Sequence, residues 1–365
     1  QTEQSRQTVA EENDAEQAKT AGNLEIHFID VGQGDATLIK CDGHSMLIDA
    51  GNNDKGTLVQ NYLQHQGVET LDYVIGTHPD ADHIGGMDVV LYKFDCKTII
   101  MPDVANNTRT YDDVVQTMKN KGYKTTYPVV GETYTIGGAA FTIIAPNKEY
   151  GNDMNSWSVG VLLQNGNHRF LFTGDAEEGA EQDILQNGID ISADVYKVAH
   201  HGSNTATSQA FLDAVHPTYA VISAGEGNSY GHPHAEVLNR LRAAGVSVFR
   251  TDEQGTIVAA SDGTTLTWNM SPSESWKAGE AEKSQNTEKS EKAADNQNNA
   301  ETDAAVSNPT DQTDGNSDVI VHITKTGEKY HSAGCQYLRQ SDIEVTLSEA
   351  KARGLTPCSK CNPPQ

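Results

Sequence analysis

Four side chains of metal-ligand type fall within six residues, at His78-Pro79-Asp80-Ala81-Asp82-His83. His78 and Asp80 are spaced i and i+2, so in extended backbone they point the same way. Asp82 and His83 adjoin Ile84-Gly85-Gly86, where the next element begins, and are aimed at a second point. One loop of this kind is able to hold two divalent cations a few ångströms apart, the arrangement that two-metal hydrolysis needs. A polar loop with helix-capping aspartates is the plainer alternative for this segment alone.

Three more clusters follow. Asp175 comes directly after Phe170-Leu171-Phe172-Thr173-Gly174, a buried strand ending in glycine, where a carboxylate either bridges two cations or caps the next helix. His200-His201-Gly202-Ser203 stands just past the strand that ends at Ala199, and Gly231-His232-Pro233-His234 precedes a helix. Each is weak by itself; four strand-end clusters together point to metal-assisted chemistry. The loop Gly32-Gln33-Gly34-Asp35 either offers backbone N–H groups to an anionic substrate or is a tight turn of the fold.

A separate set lies near the end of the chain. His331 and Cys335 are spaced His-x3-Cys, and Cys358 and Cys361 are spaced Cys-x2-Cys. Four such ligands on two knuckles make a closed tetrahedral zinc site, and a module under about fifty residues has too small a core to fold easily without one. An intramodule disulfide is the alternative. Cys41 and Cys96 read as two buried hydrophobes in preference to a disulfide.

Hydrophobic periodicity supplies the elements that position these groups. Strands are predicted at Leu24–Val31, His44–Asp49, Leu71–Thr77, Ala139–Ala145, Val159–Gln164, Arg169–Thr173, Ala193–Ala199 and Tyr219–Ser223, with short strands closing at Trp268. Helices are predicted at Lys55–Gln66, Asp112–Lys121, Glu177–Gln186, Ser208–Val215 and Ala235–Ala244. Interleaved strands and helices with frequent hairpin-like pairs suit an α/β (α+β) fold of two mixed sheets with helices outside. Residues 1–23 and 271–317 are polar and nearly devoid of apolar side chains, which predicts a disordered tether and a disordered linker. That leaves a folded domain at 24–270 and a small module at 318–365.

Charge is uneven. Of the net charge of −25, residues 24–270 carry −17, with −3 in 1–23, −6 in 271–317 and +1 in 318–365. Such a surface repels polyanions unless cations or a basic patch reverse the field. No apolar run approaches the ~18 residues that span a bilayer, so no transmembrane segment is expected. The chain starts at Gln1, which leads us to expect a processed or trimmed end with any signal segment removed. Polar segments flanking a folded core lead us to expect a bacterial protein that is secreted or held at the cell surface, rather than a cytosolic one.

The segments FIDVGQGDATLI, MLIDAG, THPDADHIGG, FTGD, KVAHHGS and GHPHAEVLNRL together resemble the metallo-β-lactamase superfamily, and within it the hydrolase domain of ComEC-type competence DNA-uptake proteins, over about residues 24–270. The resemblance implies an αββα sandwich with two divalent metal ions at one edge between the sheets. It places His78 and Asp80 on one ion and Asp82 and His83 on the other, with Asp175 bridging. His200 and one of His232 and His234 complete the set, and Asp49 lies behind it as a hydrogen-bonding partner that fixes a ligand imidazole. In the superfamily pattern Asp80 replaces a His, and Asn155-Ser156-Trp157-Ser158 stands where a further His belongs, a gap that His200 is able to fill. More carboxylate and less imidazole moves preference from Zn²⁺ toward Mn²⁺ without deciding it. The segments TKTGEKYHSAGC and ARGLTPCSKCNPP resemble the zinc domain of the Ada repair proteins, with His331 where that family has its methyl-accepting Cys; alkyl transfer is therefore not expected, and a zinc-held binding module is.

These readings imply a metal-dependent hydrolase that cleaves phosphodiester bonds with a metal-activated hydroxide, acting on DNA outside the cytoplasm. Asp82 and Asp175 carry the catalytic centre, and His201, or whichever of His232 and His234 is not a ligand, protonates the leaving oxygen. The alternatives are a phosphodiesterase for a small or cell-wall phosphoester and a non-catalytic surface protein that binds nucleic acid through its zinc module. Oligomeric state is not legible.

Overall fold

Short apolar runs become strands in this chain because most of them are covered on both faces, and the resulting sheets carry the polar loops at their ends. The computed structural model describes residues 21–279, 320–324, 329–331, 343–352, 355–358 and 360–361. The chain divides into two units, 1–289 and 290–365.

In the first unit, one sheet has eight strands in the spatial order β15 (Leu266–Trp268), β14 (Ile257–Ser261), β1 (Leu24–Phe28), β2 (Thr37–Cys41), β3 (His44–Ile48), β4 (Thr70–Ile75), β5 (Asp95–Ile100) and β6 (Thr125–Thr126). Strands β15 to β3 pair antiparallel, whereas β3 to β6 run parallel. The second sheet has the order β13 (Ser247–Arg250), β12 (Tyr219–Ile222), β11 (Val195–Lys197), β10 (His168–Phe172), β9 (Gly160–Asn165), β8 (Ala139–Ala145) and β7 (Thr133–Ile136). Here β13 to β10 are parallel and β10 to β7 antiparallel. Parallel strands need crossovers, and the crossovers put helices on the outer faces.

Ile26, Phe28, Ile39 and Ile75 of the first sheet meet Phe141, Val161, Phe170 and Phe249 of the second in one buried cluster. Outside the first sheet lie α1 (Gly56–His65), α2 (Ala81–Ile84), α3 (Met87–Lys93) and α4 (Arg109–Lys121). From them Val59, Leu63, Ile84, Leu91, Val114 and Met118 pack on Leu38, Leu47 and Val74. Outside the second lie α5 (Glu178–Gln186), α6 (Gln209–Val215) and α7 (Ala235–Ala243), whose Ile184, Phe211, Leu212, Val237 and Leu241 pack on Leu171, Tyr196 and Val248. The architecture is the αββα sandwich. Cys41 and Cys96 are buried free thiols in different clusters.

Several expectations shift. Strands β2 and β5 and the short helices α2 and α3 were not legible, since five-residue runs such as TLIKC carry too few periods to register. The expected linker also starts too early. Ser273 N–H donates to Val248 O at 2.7 Å, Gly279 N–H donates to Pro233 O at 2.9 Å, and Trp276 packs against the outer cluster, so residues 271–279 belong to the folded unit. Gly22 is likewise tied down, exchanging hydrogen bonds with Asn165 at 3.0 and 2.9 Å. Residues 1–20 and 280–317, the rest of the expected tether and linker, lie outside the described residues.

In the second unit, β18 (Ile343–Thr346), β16 (Ile320–Ile323), β17 (Lys329–His331) and β19 (Thr356–Pro357) form a sheet in that order. Val321, Ile323, Tyr330, Val345, Leu347 and Ala350 bury one another as its core.

Candidate metal centre

Strands β10, β11 and β12 are parallel, so the segments that follow them leave the sheet at one edge. Asp175 follows β10, His200 and His201 follow β11, and the loop to His232 follows β12. The His78–His83 segment after β4 meets them there, which is where parallel sheets place their ligands.

His78 is fully buried; its Nδ1 lies 3.1 Å from Thr77 Oγ1 and 3.3 Å from Ser158 Oγ, and its Nε2 lies 3.8 Å from Asp80 Oδ2. His83 turns Nδ1 to Asp49 Oδ2 at 2.8 Å and Nε2 to Asp175 Oδ1 at 3.2 Å. Asp49 also accepts from the N–H and hydroxyl of Thr77, at 2.8 and 2.7 Å. His201 directs Nδ1 at Ser223 O (3.0 Å) and Asp35 Oδ1 (3.2 Å). Two acceptors on Nδ1 make it a donor and turn Nε2 inward, the nitrogen that a bound cation would meet. That Nε2 lies 3.3 Å from Asp82 Oδ2, 3.4 Å from Asp175 Oδ2 and 3.3 Å from His83 Nε2. His200 Nε2 is 3.7 Å from Asp175 Oδ2, and its Nδ1 contacts Thr205 Oγ1 at 3.1 Å. Ligand-type atoms of Asp35, His83, Asp175 and His201 all fall within 4.8 Å of one another.

Whether this set suits a cation is decided by its unsatisfied atoms. Among the described residues, His78 Nε2, His232 Nδ1 and Asp175 Oδ1 are buried without a hydrogen-bond partner. Buried polar atoms are nearly always paired, so each such unpaired atom near the His78–His83 segment and Asp175 is one that a cation would satisfy. Electrostatics shows what a cation would replace: burial disfavours charge on His83 and His201, yet Asp175 with Asp49, and Asp175 with Asp35, hold these imidazoles well above their ordinary range, so without a cation their protons balance the carboxylates. Burial raises Asp175, but His201 and His83 outweigh it and hold its carboxyl well below the usual range. Burial and then the neighbouring imidazoles push His78 and His232 down to about 3, so both are neutral and free to donate a lone pair. The backbone is strained at the same place: Asp49, His200 and His201 have φ of 58°, 49° and 53°, a region that costs a residue with a Cβ about 1 kcal/mol or more.

The paired histidines past β12 separate cleanly. His234 accepts from Asn204 N–H on Nδ1 at 3.0 Å and faces Tyr230 O with Nε2 at 3.2 Å, so both ring nitrogens are committed to backbone. His232 lines the cavity instead.

Asp35 ends the loop that the sequence left open between an anion-binding turn and a tight turn of the fold. Its carboxylate is buried behind His201, with Oδ2 accepting from Lys197 Nζ at 2.8 Å. Its N–H donates to Asp82 O at 3.1 Å, and Gly32 N–H donates to Asp30 Oδ1 at 3.0 Å, so half of the loop's N–H groups serve the fold. Gly34 packs directly on the metal loop: a Cβ there would stand 2.4 Å from Asp82 O, at a φ of +134°. Gln33 remains at the cavity, a space of about 140 Å³ lined also by Asp80, Asp82, Asn155, Asp175, His200, His201, Tyr230 and His232. Sequence reasoning missed Lys197, Ser158, Asn155 and Tyr230. Ser158 stands in the segment that lacks the expected His, and its hydroxyl contacts His78 and accepts from Asp175 N–H at 3.0 Å.

In the second unit, ligand atoms of His331, Cys358 and Cys361 lie within 4.8 Å of one another, with Cys361 Sγ 3.8 Å from His331 Nδ1. Cys335 lies outside the described residues. Three soft ligands at that spacing fit a metal ion.

The family model described as "Metallo-beta-lactamase superfamily" matches residues 29–226. Among curated proteins, the chain is 31% identical over 255 residues to "ComE operon protein 3" of Bacillus subtilis, covering 64% of this chain and 32% of that one. It is 32% identical over 238 residues to "Recombination protein 2" of Haemophilus influenzae (64% and 28%) and 29% identical over 230 residues to "Competence protein ComA" of Neisseria gonorrhoeae (62% and 31%). The chain thus spans about a third of the length of these relatives.

Proposed function

The chain belongs to the metallo-β-lactamase superfamily, and from that membership we propose that it is a phosphodiesterase working on DNA outside the cytoplasm through a two-cation centre. The gathering of ligand atoms of Asp35, His83, Asp175 and His201 within 4.8 Å of one another, with buried His78 Nε2 left without a partner among the described residues, carries the reading. His78, Asp80 and Asp175, joined by His200, are the ligands we assign to one ion. Asp82, His83, His201 and the shared Asp175 are those of the other, with His232 adjoining. Divalent cations bound there supply Lewis acidity and lower the pKa of a water to near neutrality.

The chain's own groups then have distinct tasks. Asp175, whose Oδ1 faces His83 and whose Oδ2 faces His200 and His201, would be shared between the two cations. Asp49 and Asp35 hold the outer nitrogens of His83 and His201, which keeps each inner lone pair aimed inward. His201, only 1% exposed, serves as a ligand in this reading and not as the proton donor. His234 is equally poor as an acid, because both its nitrogens are engaged. A cavity of about 140 Å³ admits little more than the phosphodiester group itself, leaving the rest of a substrate outside.

Relatives named for competence and recombination support DNA as the substrate. A small or cell-wall phosphoester is favoured by one observation: no Lys or Arg lines the cavity, on a domain of net charge −17. Purified full chain, loaded with Mn²⁺ or Zn²⁺, should cleave bis(p-nitrophenyl) phosphate and oligonucleotides and spare β-lactams and lactones. Turnover of a lactone or β-lactam without phosphodiester cleavage would overturn the reading.

A further inference from the structure

Tyr230 is 63% exposed, yet it stands on a rigid loop beside the candidate centre. Buried Asn228 organises that loop: its Oδ1 accepts from Tyr230 N–H at 3.2 Å and His232 N–H at 3.0 Å, and its Nδ2 donates to Gly225 O at 2.9 Å and His232 O at 2.6 Å. His234 Nε2 holds Tyr230 O from the other side. One face of the Tyr230 ring stacks on His232, with centroids 5.5 Å apart and planes 18° from parallel. An aromatic ring left in water costs free energy, and here the hydrogen bonds of Asn228 and His234 hold the loop in the form that exposes it. The cavity wall beside it has no cationic side chain.

We propose that Tyr230 is a stacking platform for the base next to the scissile phosphodiester, so that this site takes unpaired nucleotides and not intact duplex. The inference rests on the phosphodiesterase reading of the same site. Stacking on an aromatic ring is tolerant of sequence and needs a base whose face is free, which a paired base inside a duplex lacks. It also supplies what an acidic domain is short of, an attraction to nucleic acid that does not depend on positive charge. The ring's position follows from this: a phosphodiester seated against Asp80, Asp82 and Asp175 through cations puts its neighbouring base at the cavity rim, where Tyr230 stands.

The test uses metal-loaded full chain and cleavage-resistant phosphorothioate oligonucleotides: a single strand, a hairpin duplex and an abasic strand of equal length, read by fluorescence anisotropy. Tyr230→Ala should weaken single-strand binding about tenfold, Tyr230→Phe should stay within about twofold, and the abasic strand should bind weakly and equally to all three. Metal content of each variant, measured in parallel, shows that the centre is intact. Unchanged single-strand affinity in Tyr230→Ala, or duplex bound as tightly as single strand, overturns the proposal. Cleavage of ordinary oligonucleotides by the wild type separates the two readings. Binding through Tyr230 without cleavage leaves stacking standing and removes the nuclease. Cleavage with Tyr230→Ala binding like wild type does the reverse. Absence of binding by the wild type removes both.

Discussion

His201 is backed by a buried ion pair whose two members lie far from each other in sequence. Lys197 Nζ and Asp35 Oδ2 are 162 residues apart along the chain and 2.8 Å apart in space, both nearly water-free. A buried ion pair rarely stabilises more than apolar residues of the same shape, whereas removing one partner costs about 3–5 kcal/mol. Lys197→Met should therefore lower unfolding free energy by about that amount in denaturant titration. The double variant Asp35→Leu with Lys197→Met should recover most of the stability while kcat on a small phosphodiester and metal occupancy stay low, because His201 then keeps only the neutral Ser223 O, and no carboxylate, on its outer nitrogen. A double variant with normal metal content and kcat would show that the pair only fills space. This role was not legible from the sequence. The His78–His83 ligands were, because they are contiguous and need only a loop to bring them together. Asp35, by contrast, ends the loop Gly32-Gln33-Gly34-Asp35, which reads as a ligand loop or a tight turn, and nothing local reveals a lysine 162 residues further along.

At the scale of elements, the metal loop is set by close backbone approach. Gly34 lies against Asp82 O where no Cβ fits, and Gly86 lies against Ala50 O, with a Cβ there only 2.3 Å away. Gly34→Ala should displace the Asp82 segment and lower both metal content and kcat by tenfold or more. Gly43→Ala is the control: its φ of +84° imposes a strain of about 1 kcal/mol, but nothing lies within 4 Å, so kcat should hold. Equal effects of the two would mean that backbone conformation, and not contact with the metal loop, is what matters. The main strands and helices were legible because their apolar periodicity is long enough to count. The short ones, α2 among them, were not; that helix is four residues long and carries Asp82 and His83 because β4 and the loop at Ala50–Asn53 fix its ends, which is long-range information. In the second unit, Cys361→Ser in the full chain should remove one equivalent of zinc and loosen the β16–β19 sheet in hydrogen exchange, since ligand binding supplies folding energy to a small core. Retained zinc would exclude Cys361 as a ligand.

At the scale of the molecule, the proposed DNA substrate is a polyanion whereas the 24–270 domain has net charge −17, and the 318–365 segment carries +1 with Lys325, Lys329, Arg339, Lys351, Arg353 and Lys360. A tethered basic module raises the local substrate concentration at the catalytic unit. Because residues 271–279 pack on that unit, the informative truncation removes residues 290–365 and leaves the packed segment in place. It should raise KM on long DNA, with a weaker salt dependence than the full chain, and leave kcat on a small phosphodiester unchanged. Equal KM with and without the module would favour the small-phosphoester reading. The central claim, that Asp175 joins two cations which perform phosphodiester hydrolysis, is tested most directly by elemental analysis and bis(p-nitrophenyl) phosphate turnover on the same samples of wild type and Asp175→Ala. The account predicts two equivalents of divalent metal in the wild type beyond the zinc of the terminal module, and in folded Asp175→Ala a loss of at least one equivalent with turnover down by a thousandfold or more. Full metal content with wild-type turnover in Asp175→Ala would contradict it.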